Sequence, residues 1–403
     1  MKAVMYGAGN IGRGFIGMLF SKSGYEVAFV DVAEPVVAAI NDRREYPVRI
    51  VSNDGCEDII VKNVRAVDGK DAPSVARAID EADIMATAVG VNVMKFIAPV
   101  IAQGIKLRCK NGRKPLNIII CENLIDANKV MAKLIKASLT DEEKAWFDKN
   151  IGLVEASIGR MVPVQTDEMK DGDPLRVCVE RYGFLPVDLE AFAGDIPRVN
   201  SMIPFKPFDF YIRRKLFIHN MGHATCAYLG IIKGVQYIYE SIDDAEVRLI
   251  CQSAMTESAV ALSKAYGLDI APVVNHVFDL LLRFENKALM DTCARVGGDT
   301  VRKLAANDRL IGAAGMCLEN GVVPMFIAAG AAAAVRAHIE TNGEVQSESS
   351  ARRALKELSG LDDGDRLKEM IIKMYALIIG GASMREIRQA ADRERISACG
   401  DIA

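Results

Sequence analysis

Short apolar runs alternate with segments of helical period through the first half of this 403-residue chain. No other sequence feature constrains the fold as strongly. We predict strands at Ala3–Tyr6, Val27–Asp31, Ile59–Val67, Ile84–Val89 and Leu116–Cys121. The helical segments between and after them are Ile11–Ser23, Ala72–Glu81, Val93–Gln103 and Ala127–Leu139. Val/Ile-rich strands separated by helices are typical of a parallel sheet covered on both faces, so we predict an α/β first half.

The pattern changes after Leu153. Arg176–Tyr182 alternates polar and apolar residues like a half-exposed strand, and Pro197 to Pro207 is expected to be a loop. From about Phe208 onward the chain is predicted to be mostly α-helical. The clearest helical segments are Ala245–Tyr266, Ala271–Arg283, Ala351–Ser359 and Arg366–Ile379. We therefore predict one domain at residues 1–195 and a second, mostly helical one at residues 196–403.

The Ala- and Gly-rich stretch from Gly321 to Val335 is shorter than the ~20 apolar residues of a membrane-spanning helix. We predict a close-packed core helix there instead. The net charge of −3 argues against a nucleic-acid partner or an anionic membrane surface. The opening MKAVMYGAG leads directly into a strand and turn, which leaves no room for a secretion signal. Scattered cysteines without a CxxC pair suit free thiols, so we expect a cytoplasmic protein.

Gly7, Gly9 and Gly12 form a GxGxxG directly after the first predicted strand and at the start of a helix. In that context Gly7 permits the tight turn, Gly9 lets the backbone approach a pyrophosphate, and Gly12 lets the helix pack on its strand. The backbone N–H groups near Asn10 and Ile11, at the helix N-terminus, are expected to face the phosphates. The segment predicts a dinucleotide-binding, doubly wound Rossmann domain.

Asp31, at the end of the second predicted strand, favours NAD over NADP. A carboxylate there accepts hydrogen bonds from the ribose hydroxyls and repels a 2′-phosphate, and Val32 and Ala33 supply no arginine to receive one. The fourth strand ends in small residues that include Thr87 and Val89, where the cofactor is expected to lie.

Lys215, Asn220 and His223 share the run KLFIHNMGH. At α-helical spacing Asn220 and His223 lie roughly 140° and 80° around the axis from Lys215, so all three can border one pocket. His219 and His223 also form an HxxxH, but Asn220 stands where a zinc-binding HExxH has its glutamate. No metal site is therefore predicted.

The spacing Lys-x4-Asn-x2-His resembles the catalytic motif of the polyol-specific long-chain dehydrogenases, the mannitol dehydrogenase family. The chain resembles in particular those members that act on mannitol 1-phosphate. The shared words are GAGNIGRGFIG at 7–17, TAVG at 87–90, CEN at 121–123, RKLF at 214–217, NMGHATCAYLG at 220–230, RFEN at 283–286, RKL at 302–304 and DRL at 308–310. The resemblance implies a Rossmann domain followed by a helical domain. It also implies an NAD-dependent, metal-independent exchange of mannitol 1-phosphate and fructose 6-phosphate.

The resemblance implies that Lys215 is the general base, which requires its pKa to fall from ~10.4 through desolvation or a neighbouring positive charge. Arg213 and Arg214 are adjacent to it in the sequence. Asn123 and Asn220 would donate hydrogen bonds to the developing alkoxide, and His223 would hold the reacting hydroxyl or its neighbour.

Four cationic residues form a candidate cradle for the substrate phosphate: Arg295, Arg302, Lys303 and Arg309. Two positions depart from the family pattern. Gly159 replaces the aspartate of a Val-Asp-Arg word, and Gly298 stands where an arginine is frequent.

Three alternatives remain open from the residues. Tyr211 and Lys215 form a YxxxK, the dyad of short-chain dehydrogenases, although Gly7–Gly12 lacks the glycine spacing of that class. A family member could instead act on an unphosphorylated polyol or a hexuronate. The chain could also be a catalytically inactive NAD sensor.

Overall fold

The computed structural model describes residues 1–124 and 126–399, and it divides into two separately packed units, Met1–Asp209 and Phe210–Ala403. The strands, all in the first unit, are β1 Lys2–Tyr6, β2 Glu26–Asp31, β3 Glu45–Ser52, β4 Gly55–Lys62, β5 Val64–Asp68, β6 Ile84–Thr87, β7 Leu116–Ile120, β8 Ile151–Glu155, β9 Val177–Val179, β10 Leu185–Asp188 and β11 Met202–Phe205.

A parallel sheet of six strands is the centre of the first unit, in the order β5-β2-β1-β6-β7-β8. The order reverses direction between β1 and β6, which is the switch point where doubly wound sheets bind ligands. Alternate strand residues pack to opposite faces: Val4 belongs to one hydrophobic cluster and Met5 to another. The predicted Rossmann sheet, buried on both faces, is confirmed.

Helices cover this sheet on both faces. Their bounds are α1 Met18–Lys22, α2 Glu34–Arg43, α3 Ala72–Glu81, α4 Met94–Lys110, α5 Ala127–Lys136, α6 Asp141–Asn150 and α7 Asp167–Lys170. A π-helical segment, Gly12–Gly17, leads into α1. The short helical turns Val91–Val93 and Leu189–Ala191 complete the helical segments described in this unit.

Two smaller sheets correct the sequence predictions. The run Ile59–Val67 is not one strand, since β4 pairs antiparallel with β3 whereas β5 joins the central sheet. Asn63, with φ +59°, turns the chain between them. β9 pairs with β3 and is fully buried, so the prediction of a half-exposed strand at Arg176–Tyr182 is wrong. The predicted loop from Pro197 to Pro207 contains β11, which pairs with β10.

The second unit is helical in its described residues, as predicted. Its helices are α8 Asp209–Arg214, α9 Met221–Lys233, α10 Ile238–Asp243, α11 Ala245–Tyr266, α12 Ile270–Phe284, α13 Cys293–Gly297, α14 Thr300–Lys303, α15 Ile311–Glu319, α16 Met325–Thr341, α17 Glu348–Ser359, α18 Arg366–Ile379 and α19 Met384–Cys399. A π-helical segment, Lys215–Asn220, joins α8 to α9, and a short turn, Lys287–Leu289, follows α12.

The Ala-rich helix α16 lies in the core of this unit, as the composition of the stretch from Gly321 to Val335 predicts. Most of its residues are buried, and a Cβ on Gly330 would lie 2.4 Å from Oγ1 of Thr225 in α9. Small side chains therefore allow the two helices to approach closely. No helix within the described residues has the length and apolar character needed to cross a membrane.

Candidate active site

The turn after β1 depends on glycine at two positions. Gly7 has φ +101°, donates its N–H to Val30 O at 2.8 Å, and would place a Cβ 2.5 Å from Ala88 O. A Cβ on Gly12 would lie 1.9 Å from Gly7 O. Because neither position can accept a side chain without moving backbone, the two glycines make the tight strand–turn–helix connection possible.

Gly9 differs from its two partners, since a Cβ there would meet nothing within 4 Å. Gly9 and Asn10 are exposed, and Ile11 is half-buried at the start of the helix. The protein itself therefore does not require glycine at position 9. The open backbone at this helix start suits the close approach of a pyrophosphate.

Asp31 is held at the same turn by two backbone hydrogen bonds. Its Oδ2 accepts from Ala8 N–H at 2.7 Å and its Oδ1 accepts from Ala33 N–H at 2.9 Å. These contacts aim a carboxylate at the glycine turn, beside the place where an adenosine ribose would lie. Together with the open backbone at Gly9, this arrangement fits a dinucleotide.

Thr87 and Val89 lie at the carboxyl end of β6. Thr87 is buried, and its Oγ1 has no hydrogen-bond partner among the described residues. The N–H groups of Val89 and Gly90 donate to the two carboxylate oxygens of Glu122, at 3.0 and 2.8 Å. Asn123, the next residue after Glu122, is exposed at the end of β7. Glu122 therefore holds the loop after β6, a role that the sequence analysis missed.

Lys215 and Asn220 mark the two ends of the π-helical segment before α9. Backbone hydrogen bonds of a π-helix connect residues five apart, so these two residues lie near one face of the segment. The α-helical spacing used to predict their relative directions is wrong here. His223 follows on α9, within one turn of Asn220.

Burial, followed by the positive charge of Arg309, lowers the pKa of Lys215 to about 8. This charge comes from a residue almost a hundred positions away in the sequence. A lysine with this pKa is about a tenth neutral at pH 7, so it can accept a proton near neutral pH.

His223 is held on two sides. Its ring stacks on Phe284 of α12, with centroids 4.9 Å apart and planes 16° apart. Its Nε2 lies 3.2 Å from Oδ2 of Asp291. Asp291 also accepts a hydrogen bond at 2.8 Å from Nε of Arg295. Among the described residues, no group of three or more His, Cys, Asp or Glu side chains could hold a metal ion.

The four predicted phosphate residues differ in burial. Lys303 is buried and Arg309 has a side chain only 13% exposed, whereas Arg295 and Arg302 are 57% and 52% exposed. The two exposed arginines pair with carboxylates, Arg295 with Asp291 and Arg302 with Asp299. Burial, followed by the charges of Arg309 and Arg302, lowers the pKa of Lys303 to about 8.

Tyr228 of α9 lies in the same surroundings as Lys303. Burial, the largest cause, raises the pKa of its hydroxyl. This pKa also responds to the charges of four nearby residues: Arg309, Asp299, Asp308 and Arg302. The hydroxyl is buried without a hydrogen-bond partner among the described residues. A buried hydroxyl without a partner is costly, and a hydrogen bond with a ligand would offset that cost.

Comparison with known proteins assigns the family. Residues 1–201 match the model of the mannitol dehydrogenase Rossmann domain, and residues 208–376 match that of the mannitol dehydrogenase C-terminal domain. The chain belongs to the mannitol dehydrogenase family. It is thus a polyol dehydrogenase, as predicted, and the short-chain alternative for Tyr211 and Lys215 is excluded.

Two curated relatives of this mannitol dehydrogenase family member are mannitol-1-phosphate 5-dehydrogenases. The protein of Thermoanaerobacter pseudethanolicus is 35% identical over 93% of this chain and 97% of its own length. The Bacillus subtilis protein is 37% identical over 93% and 99%. A solved structure of Pseudomonas fluorescens mannitol 2-dehydrogenase with NAD and D-mannitol has a TM-score of 0.73 at 14% identity, covering 98% of this chain and 94% of its own. At that identity the likeness shows the fold.

Gly159 and Gly298, the two positions that depart from the family pattern, differ in their surroundings. A Cβ on Gly159 would lie 3.1 Å from Cε1 of Tyr182, so a side chain there requires the ring to move. A Cβ on Gly298 would meet only the carbonyls of Arg295 and Ala294, at 3.4 and 3.6 Å. Packing therefore favours glycine at position 159 but not at position 298.

The sequence analysis assigned no role to Arg13 or Arg160. Arg13 lies within GAGNIGRGFIG, and Arg160 directly follows Gly159. Arg13 is buried and donates from Nε to Ala8 O at 2.6 Å and from Nη1 to Leu175 O. Arg160 donates to Gly14 O at 2.9 Å and lies over the Phe15 ring. Both guanidinium groups brace the glycine turn from within the first unit.

Proposed function

We propose that this chain is an NAD-dependent dehydrogenase that interconverts mannitol 1-phosphate and fructose 6-phosphate without a metal. The observation that carries the proposal is the half-buried Lys215, with its pKa lowered to about 8, on the π-helical segment that also contains Asn220. The relatives named for this reaction support the substrate.

Lys215 is the proposed general base. Its neutral amine takes the proton of the carbinol hydroxyl, and its ammonium returns that proton to the ketose in the reverse direction. Asn123 and Asn220 are proposed as amide donors to the developing alkoxide. His223 orients the reacting hydroxyl or its neighbour. A bound NAD would supply the acceptor for the hydride of the alcohol carbon.

The first unit is proposed to bind NAD. Gly7, Gly9 and Gly12, together with the N–H groups at Asn10 and Ile11, make the pyrophosphate site. Asp31 receives the ribose hydroxyls and disfavours a 2′-phosphate. Thr87 and Val89 lie at the carboxyl edge of the sheet, and the Thr87 hydroxyl, which has no partner within the described part of the chain, is available to a ligand.

The phosphate subsite is proposed to centre on Lys303 and Arg309, with the Tyr228 hydroxyl as a third donor. The buried or nearly buried positions of these groups strengthen a charge-assisted hydrogen bond. Arg295 and Arg302 are more exposed and already paired, so we assign them a weaker, outer contribution.

An unphosphorylated polyol or a hexuronate is the second candidate substrate. Asp308 pairs with Arg309 and Asp299 pairs with Arg302, so carboxylates already offset part of the positive charge that a phosphate would meet. A smaller anion or a neutral sugar alcohol would depend less on this charge. The relatives are named as dehydrogenases, which argues against the third alternative, an inactive NAD sensor.

The test is a spectrophotometric NADH assay with mannitol 1-phosphate, mannitol, sorbitol 6-phosphate, fructose 6-phosphate and fructuronate. We expect kcat/KM for mannitol 1-phosphate to exceed that for mannitol at least about a hundredfold, since charge-assisted hydrogen bonds contribute ~1.5–3 kcal/mol each. Lys303→Met and Tyr228→Phe should reduce this advantage, mainly through KM. Activity with mannitol should change little.

Tyr375→Phe is the matched control, because Tyr375 is also buried in the second unit but already bonds Gln346 at 2.7 Å. It should leave the phosphate preference intact. Equal efficiency for mannitol and mannitol 1-phosphate would refute the phosphate assignment and favour the second candidate.

A further inference from the structure

Asp291 lies between the turn Lys287–Leu289 and α13, at a point where the backbone is firmly held. Its carbonyl accepts a hydrogen bond from Ile238 N–H at 2.9 Å, and Cys293 N–H donates to Gln236 O at 2.9 Å. Tyr237 and Thr292 form an antiparallel bridge between these two bonds. The position of Asp291 relative to the start of α10 is therefore defined by backbone contacts.

The Asp291 side chain is only 12% exposed, and both of its oxygens are in use. Oδ2 faces Nε2 of His223 at 3.2 Å, and Oδ1 accepts from Nε of Arg295 at 2.8 Å. Burial alone would raise the pKa of Asp291, but the hydrogen bond with His223 and the hydrogen bond and charge of Arg295 bring it below the usual range. Asp291 is therefore an ionised, acceptor-only partner at neutral pH.

A carboxylate in this position determines which nitrogen of His223 carries a proton. Nε2 must be protonated to donate to Asp291, which leaves Nδ1 of the neutral ring as an acceptor. Among the described residues, Nε2 of His223 has a polar contact with Asp291, whereas Nδ1 has none. Stacking on Phe284 prevents the ring from tilting away.

We propose that Asp291 is the positioning residue of the active site, which holds His223 in the Nε2–H tautomer so that Nδ1 accepts a hydrogen bond from a substrate hydroxyl. Arg295 maintains the orientation of Asp291, so part of its effect on the substrate is indirect. The proposal rests on the proposed function, because His223 matters only if it meets the polyol.

The same unit contains a looser version of this arrangement. On α12, Nδ1 of His276 lies 4.0 Å from Asp279, and Arg283 lies 3.4 Å from the same carboxylate, which is 48% exposed. Asp279→Asn is therefore a matched control, because the same residue types surround a more exposed carboxylate at longer distances.

The tautomer is read directly by NMR of protein labelled with ¹⁵N in the histidine rings, with His223→Asn used to assign the resonance. Near pH 8 we expect wild-type His223 to show the Nε2–H pattern. Asp291→Ala should give a mixture of tautomers or the Nδ1–H form. Asp291→Asn, whose amide oxygen can still accept, should retain more of the Nε2–H form, and Asp279→Asn should leave His223 unchanged.

Kinetics with mannitol 1-phosphate give the second readout. Asp291→Ala should lower kcat/KM about 10–100-fold, as loss of a partner that orients a histidine does elsewhere. Asp291→Asn should fall between Asp291→Ala and wild type. The dissociation constant for NADH and the KM for NAD should remain within about twofold, and Asp279→Asn should match wild type.

An Nδ1–H tautomer in the wild type, or an unchanged tautomer in Asp291→Ala, would overturn the proposal. So would equal kinetic losses in Asp291→Ala and Asp279→Asn. Absence of wild-type turnover with every polyol would refute the proposed function instead, and the ring assignment would still decide whether Asp291 controls His223.

Discussion

At the scale of single residues, two lysines of the second unit have lowered pKa values. Burial lowers the pKa of both Lys215 and Lys303 to about 8, and Arg309 contributes to both shifts. Lys303 additionally has Asp299 and Asp308 nearby, which favour its charged form. We assign the neutral form of Lys215 to catalysis and the charged form of Lys303 to binding, so the two lysines predict opposite responses to pH.

The pH dependence follows from these signs. Oxidation of the alcohol needs neutral Lys215, so kcat should rise with pH through about 8, while reduction of the ketose should slow over the same range. For mannitol 1-phosphate, kcat/KM should also fall above about 8 as Lys303 loses its charge. Stopped-flow measurement of NADH formation between pH 6 and 10 checks the rising limb assigned to Lys215 and the falling limb assigned to Lys303.

Lys303→Met should remove the falling limb for the phosphorylated substrate and keep the rising one. Lys215→Ala should lower kcat by orders of magnitude at every pH while NADH binding persists, because the glycine turn belongs to the first unit. An unaltered rising limb in a Lys215 variant would contradict the assignment of the base.

Cofactor choice also belongs to the residue scale. The carboxylate of Asp31, fixed by Ala8 and Ala33, should repel a 2′-phosphate, so NAD should be preferred to NADP by well over about tenfold in kcat/KM. Asp31→Ala should reduce this preference, chiefly through a higher KM for NAD. Equal use of both cofactors by the wild type would contradict this prediction. Asp68→Ala, at the end of the neighbouring strand, is the control.

At the scale of elements, both motifs recognised in the sequence contain a π-helical segment. The segments are Gly12–Gly17 at the glycine turn and Lys215–Asn220 before α9. π-Helical turns are rare and frequently occur at functional sites. Residue composition indicates a helix at both places but does not distinguish a π-helix from an α-helix, because the extra residue per turn is accommodated by packing around it.

Helix α16 begins against a buried carboxylate. Both oxygens of Glu257, on α11, accept backbone N–H groups at the start of α16, from Phe326 and Ile327 at 3.0 Å each. Burial nevertheless raises the pKa of Glu257 to about 8. Its protonated form is therefore the one that the folded state favours.

This sign predicts how stability changes with pH. The folded pKa lies above the unfolded value of ~4.3, so the contribution of Glu257 is complete below that value and is lost as pH rises through about 8. Glu257→Gln should flatten the decline of Tm between pH 5 and 8. Glu257→Ala, which leaves two N–H groups without acceptors, should lower the free energy of unfolding by ~2–4 kcal/mol.

Thermal unfolding followed by circular dichroism at several pH values measures these effects. Exposed Glu319 on α15 provides the control, and Glu319→Gln should follow the wild-type profile. A wild-type pH profile retained in Glu257→Gln would show that other groups cause the decline.

At the scale of the whole molecule, the chain combines a doubly wound unit with a helical unit, and each has its own core. The proposed reaction assigns the dinucleotide to the first and the general base to the second. Such a division lets one unit retain a standard cofactor fold while the other supplies the groups that distinguish substrates.

The sequence by itself determined the parallel sheet, the glycine turn with Asp31 at the next strand end, and the family. It also placed Lys215, Asn220 and His223 within one helical run. These features depend on periodicity and on residues near one another in the chain, where local chemistry limits the possible structures.

Only the tertiary structure decided which groups meet across long sequence distances. It pairs Asp291 with His223 and lets the charge of Arg309 lower the pKa of Lys215. It also leaves the Tyr228 hydroxyl without a partner among the described residues and divides the run from Ile59 to Val67 between two sheets. Residue type cannot reveal these relations, because desolvation and hydrogen bonding are properties of a packed environment to which distant segments contribute.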